Sequence, residues 1–251
     1  MKSIKVFSCF LLPASCFLFF ASLVLSKESS VRLGAKPLVW RDEIPAQFSH
    51  EVEEITAHPT FVRHPHPQIS YLTAEFYDFL LQDWDLACRL AKTLDVKGYE
   101  VRKLDQGWKV ILSPRTSADV LPLIHRNGRS FFLAKGEHRG KVIRHLKLRV
   151  FLLVEYHSSG RESLSASGET VSRIESAMTS YIRIDQFFLA AIAKITIPFV
   201  GERIDRKLAA ILQDIEQVSQ KIHENPVAVR ERVERSSDFS PSEKQILREY
   251  L

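Results

Sequence analysis

From position 146 to 156 apolar and polar residues alternate. Leu146, Leu148, Val150, Leu152, Val154 and Tyr156 share one face. His145, Lys147, Arg149, Glu155 and His157 share the other with Phe151 and Leu153. A period of two predicts a half-buried antiparallel strand. Ser158-Ser159-Gly160 then predicts a turn. The pattern returns over 174–184, where Ile174, Met178, Ile182 and Ile184 line up with Ser176 and Ser180. Glu175, Thr179, Tyr181, Arg183 and Asp185 face the other way. Residues 187–197 are almost wholly apolar, and their length leaves strand and helix both open. Pro198 disfavours a helix running straight through. From Glu202 the period changes: Ile204, Leu208, Ile211, Ile215, Val218 and Ile222 form a helical stripe that Asn225-Pro226 ends.

Upstream, polar residues spaced by three and four predict helix over 70–94. Asp83 falls on the apolar side, so a break is expected there, with Asp83 capping a second short helix at Trp84. Gly98 lies near where a stop is expected. Strand-like runs at 99–104 and 108–112 flank Asp105-Gln106-Gly107, a hairpin turn. Residues 114–128 read as a connection, and 130–134 open another strand, with Gly136 and Gly140 bracketing a turn. Residues 27–69, punctuated by Pro37, Pro45, Pro59, Pro65 and Pro67, read as an irregular lead-in. Residues 223–251 read as a helical tail, in which Ser240-Pro241-Ser242-Glu243 is a capping box opening a last short helix. The resulting class is α+β: an antiparallel curved sheet packed on a long C-terminal helix, with short helices before the sheet.

Residues 1–26 are set apart. Lys2 and Lys5 precede an uncharged stretch from Val6 to Leu25 rich in Phe and Leu. This is the pattern of a signal peptide, and retention as a membrane anchor is the alternative. Either places the rest outside the cytoplasm, periplasmic or secreted. Cys16 follows Leu-Pro-Ala-Ser, but Pro13 is wrong for a lipoprotein box. Cys88 is the single cysteine after the leader, so it has no partner there for a disulfide; among Leu86, Ala87, Leu90 and Ala91 it reads as a small buried residue. The chain carries 35 Lys and Arg against 30 Asp and Glu, and two of the lysines lie in the leader. So mild a balance, with no basic run interleaved with aromatics, argues against nucleic acid as a partner.

The order of elements resembles the START-like, helix-grip superfamily over about residues 70–222. The run Ile195-Thr196-Ile197-Pro198-Phe199-Val200-Gly201-Glu202-Arg203-Ile204 is similar to the strand-to-helix junction of some bacterial members. Phe79-Leu80-Leu81-Gln82-Asp83 is similar to the junction between their short helices. The resemblance implies a sheet gripping the last helix, with an apolar ligand between them. It carries over no catalytic residue. The long lead-in and the very apolar 187–197 depart from the family pattern.

The expected ligand-binding residues are Leu148, Val150, Leu152, Ser176, Met178, Ser180, Ile182, Ile204, Leu208 and Ile211. Small hydroxyls on an apolar face suit a cavity lining with a few polar fixings. The expected partner is a lipid or other apolar small molecule, with a membrane surface as a second possibility. Two other readings remain: an enzyme acting on an apolar substrate through His138, Glu155 or His157, and a membrane-tethered interaction module. His50, His58, His64 and His66 crowd one segment with Glu51, Glu53 and Glu54, but His64-Pro-His66-Pro reads as extended and lacks metal-ligand spacing. No metal or other cofactor is expected. For Arg183, cross-strand pairing with a residue such as Glu155 is favoured over an anionic headgroup.

Overall fold

Strand segments spread along the chain build one antiparallel sheet, and a computed structural model shows how it is assembled. The model describes residues 40–96, 99–139, 145–164, 170–186 and 205–251. Met1–Asp42 forms one unit, of which only 40–42 are described, and Glu43–Leu251 forms the other. In the latter, helix α1 (Ala46–Ala57) precedes strands β1 (Phe61–Arg63) and β2 (Gln68–Leu72). Helices α2 (Ala74–Gln82) and α3 (Trp84–Thr93) follow. Next come β3 (Glu100–Lys103), β4 (Trp108–Ser113), β5 (Thr116–Arg126), β6 (Arg129–His138), β7 (Leu146–Leu164) and β8 (Thr170–Ile184). Helices α4 (Ala210–Glu224), α5 (Pro226–Arg235) and α6 (Pro241–Tyr250) close the described chain. The sheet order is β1-β8-β7-β6-β5-β4-β3, with β2 sharing the β8 edge with β1. The α+β class expected from the pattern is present.

Several local expectations hold for stated reasons. Asp83 ends α2 and caps α3, its Oδ1 accepting from Leu86 N at 3.1 Å. Asn225 does the same between α4 and α5, accepting from Ala228 N at 3.0 Å with Pro226 at the first helical position. At α6 the capping box is complete: Ser240 and Glu243 each accept from the other's backbone N–H. Gly107 turns the β3–β4 hairpin at φ +82°, and a Cβ there would stand 2.0 Å from the Val120 carbonyl oxygen.

Other expectations are corrected. The lead-in is not irregular: residues 46–57 are helical and 61–63 pair with β8. Val52 and Ile55 of α1 are buried, Glu51 and Glu54 are half-buried toward the sheet, and Glu53 is exposed. Residues 68–72 form strand β2, and the first helix starts only after the Thr73 cap. Residues 114–128 hold an eleven-residue strand, β5, whose Pro122 is accommodated at a register shift between Pro122 and Ile124. Ser158-Ser159-Gly160 does not turn the chain; β7 continues to Leu164 through a shift between Ser158 and Glu162. The tail holds α5 as well as α6. The leader, the 187–197 segment, Pro198, Gly201 and Ile204 lie outside the described residues, as do Gly98 and Gly140.

The sheet is covered on both faces. On the inner face, Trp108, Val110, Val120, Phe132, Ala134, Val150, Leu152 and Val154 pack with residues of α2, α3 and α4 in one hydrophobic cluster. Trp84 of α3 stacks on Trp108 at 5.3 Å and tilts against Phe132 at 4.8 Å. On the outer face α1 packs against β7 and β8, and Phe131 and Phe151 are buried completely. The outer face of β7 is therefore not a solvated polar face throughout.

Candidate functional site

Where α4 crosses the β2 edge, it supplies the hydrogen bond that a further strand would otherwise make. Tyr71 N donates to Ser219 Oγ at 3.2 Å, and that hydroxyl donates to Glu216 O at 2.6 Å. The Tyr71 ring stacks on His223 at 5.3 Å. Arg63 of β1 holds Asp205, just before α4, through a bidentate pair. These contacts fix α4 beside the inner face of the sheet.

Apart from Ile204, which lies outside the described residues, the expected binding residues gather in or against one packed core. Val150, Leu152, Met178, Ile182 and Ile211 are buried in the one inner cluster, and Leu148 and Leu208 pack against it half-buried. Ser176 and Ser180 are buried on the same face of β8. Ser176 donates weakly to Gln68 O at 3.4 Å. Ser180 Oγ makes no hydrogen bond among the described residues.

This core contains buried polar groups that sequence reasoning missed. Ser70 Oγ on β2 is buried without a partner among the described residues, and Tyr77 Oη on α2 is buried with Ser176 as a neighbouring hydroxyl. Tyr77 lies beside Ser176, and its ring packs on Tyr156 at 4.9 Å; burial holds its phenol above its usual range. Toward α3, Asp214 of α4 is buried with Oδ2 unpartnered, and burial pushes its carboxyl up to about 7. Tyr99 Oη is likewise buried and unpartnered, within electrostatic reach of Asp214 and Cys88. Burial raises the Tyr99 phenol too. Cys88 is buried, its thiol donating to Tyr99 O at 2.6 Å. The signal for Asp214 was present: it sits three residues after Ile211 and four before Val218, a charge on the apolar stripe.

The outer face offers different chemistry. A groove of about 300 Å³ crosses it at one end, lined mainly by Lys109, Asp119, Lys135, Glu137, Lys147 and Arg149. Most of these charges are paired: Lys109 with Asp119 at 2.9 Å, Lys135 with Glu51 at 3.1 Å, and Arg149 with Asp185 and Glu54. Arg183 pairs with Glu54 and Asp185 rather than with Glu155, which meets Arg129 at 3.4 Å. Glu155 and His157 are exposed on this face, away from the inner compartment, and His157 approaches Glu175 at 3.6 Å. His138 bonds Thr116 through Nδ1 at 2.8 Å, and His145 meets Glu137 at 3.3 Å. His50, His58, His64 and His66 are exposed. Among the described residues, no three His, Cys, Asp or Glu side chains gather as a metal site.

No family model matches the chain, and no curated protein matches it. Its structure is similar to the crystal structure of a hypothetical protein from Helicobacter pylori, at a TM-score of 0.43 and 12% identity, covering 67% of this chain and 93% of that one.

Proposed function

We propose that this is an exported binding protein that holds a lipid or other apolar small molecule between the inner face of the sheet and α4. The observation that carries the reading is a set of buried, unpartnered polar groups in an otherwise apolar compartment. Ser70, Ser180, Tyr99 and Asp214 each leave a hydrogen-bonding atom unused among the described residues. Leaving such a group unsatisfied costs about 1–3 kcal/mol. Several together are more economical in a protein whose ligand supplies the missing partners. The apolar walls supply affinity, at roughly 0.8 kcal/mol per ligand CH₂ buried before the entropic costs of binding. The helix-grip resemblance of the element order supports the same reading. Export rests on the leader pattern of residues 1–26, and the mass of the mature N-terminus tests it.

The binding reading is tested on protein purified from its own host and extracted with organic solvent. An apolar compound released in stoichiometric amount is the expected result. The stripped protein is then titrated with the neutral fluorophore N-phenyl-1-naphthylamine, whose emission should rise on binding and fall when the extract is returned. Neither a released compound nor fluorophore binding would leave the compartment an ordinary core.

A further inference from the structure

The buried polar groups are not spread evenly over the compartment. Two that can both donate and accept a hydrogen bond lie at its α3 side within electrostatic reach of each other, the Asp214 carboxyl and the Tyr99 phenol. Asp214 is 4% exposed and Tyr99 9%. Neither Asp214 Oδ2 nor Tyr99 Oη has a partner among the described residues. The group facing them from α3 is Cys88, whose proton is already committed to the Tyr99 carbonyl. Asp85 and Lys92, also on α3, lie within electrostatic reach of that thiol.

Resting on the binding reading above, we infer that the ligand presents an uncharged hydroxyl or carbonyl end, and that Asp214 and Tyr99 are the groups that fix it. The chemistry selects against an ionised head. The buried polar residues described are Thr56, Gln68, Ser70, Ser130, Ser176, Ser180, Asp214 and Ser219. None of these is a cation that could neutralise a buried phosphate, sulfate or carboxylate, and Asp214 would oppose one. A neutral carboxyl, by contrast, donates to a ligand oxygen and accepts from a ligand hydroxyl. Burial keeps that neutral form populated near neutrality. Tyr99 offers the same two-way bonding in a rigid frame.

The test uses the full chain stripped of ligand, titrated at about pH 7 with hexadecanol and with hexadecyl sulfate. These share a chain and differ in charge at the head. Displacement of N-phenyl-1-naphthylamine gives the affinities. The expected result is hexadecanol bound roughly tenfold or more tighter than hexadecyl sulfate. D214L and Y99F should each weaken hexadecanol by roughly tenfold, measured against each variant's own affinity for the fluorophore. D214N keeps an amide that donates and accepts, and should retain hexadecanol. Y99F keeps the side-chain volume and D214L substitutes a larger branched apolar group, so a wild-type far-ultraviolet circular dichroism spectrum and a cooperative urea transition are needed to show that each variant is folded. Wild-type affinity for hexadecanol in both D214L and Y99F would overturn the assignment of the anchor. Tighter binding of hexadecyl sulfate than of hexadecanol would overturn the uncharged head. Failure of the wild type to bind even the fluorophore would remove the binding reading itself, and this inference with it.

Discussion

Arg149 of β7 donates through Nη1 to Glu54 Oε2 of α1 at 2.6 Å, and Arg183 of β8 reaches the same carboxylate at 2.9 Å. Asp185 closes the set by accepting from Arg149. One acidic residue of α1 thus bridges two neighbouring strands on the outer face of the sheet. The arginines hold the Glu54 carboxyl below its usual range, and the two carboxylates hold the Arg149 guanidinium above its own. Glu54→Ala should loosen α1 without disturbing the inner compartment. Hydrogen exchange is expected to quicken over residues 46–57 and stay unchanged in α4, with ligand binding intact. Equal protection of α1 in the variant would show that its remaining contacts, the buried Val52 and Ile55 and the Glu51–Lys135 pair among them, hold it without the Glu54 carboxylate.

A second clamp ties the C-terminal helix to the core. Arg89 of α3 donates to Glu243 Oε1 at 2.6 Å, to Asp85 at 2.9 Å and to the Asp238 carbonyl at 2.6 Å, with its guanidinium over the Phe239 ring at 5.5 Å. The guanidinium lowers the Glu243 carboxyl from 4.5 to about 2. A depressed carboxyl contributes stability that is present above its unfolded value and lost as pH falls toward the folded one. Arg89→Met should therefore cost about 2 kcal/mol at neutral pH and progressively less between about pH 4.5 and 2. Urea unfolding across that range reads the convergence. A cost independent of pH would assign Arg89 a packing role alone.

Gly107 makes a sharper structural prediction. Its positive φ and the nearby Val120 carbonyl oxygen leave no room for a methyl group. Gly107→Ala should destabilise the β3–β4 hairpin by more than about 1 kcal/mol. Because the obstacle is backbone, no side-chain rotation relieves it. A thermal midpoint equal to wild type would count against the turn geometry described.

Most of this architecture was legible in the sequence wherever one period dominated. The inner faces of β7 and β8, the break at Asp83 and the capping box at Ser240 follow from local rules, and each is found. Features set by long-range partners were less legible. Phe151 and Leu153 looked like apolar exceptions on a polar strand face because the helix covering them is distant in sequence. Strand β5 was hidden by Pro122 and by polar residues that belong to the outer groove. Pairing of Arg183 across the sheet was a sound local guess, but α1 brought Glu54 instead. At the candidate site, the apolar walls followed from periodicity. The buried polar groups were not singled out, because Tyr99 lies just before the short strand β3 and Asp214, though spaced to fall on the α4 stripe, was passed over among its apolar residues.

Asp214 yields the last prediction, and its sign is opposite to that of Glu243. Burial raises the carboxyl from 3.8 to about 7. Between those values the folded chain retains a proton that the unfolded chain has released. Stability therefore falls as pH rises through that window and levels off above about 7. The displacement corresponds to about 4 kcal/mol at most. Asp214→Asn removes the titration while keeping size and polarity. For the ligand-free protein, variant and wild type should unfold at similar urea concentrations near the bottom of the window. The variant should become the more stable by a few kcal/mol above about pH 7. Comparing the pair at each pH cancels the acid-side contribution of Glu243, which both share. Parallel pH profiles would mean that the folded carboxyl titrates as it does in the unfolded chain, and Asp214 would then be ionised at neutral pH and unable to donate to a ligand.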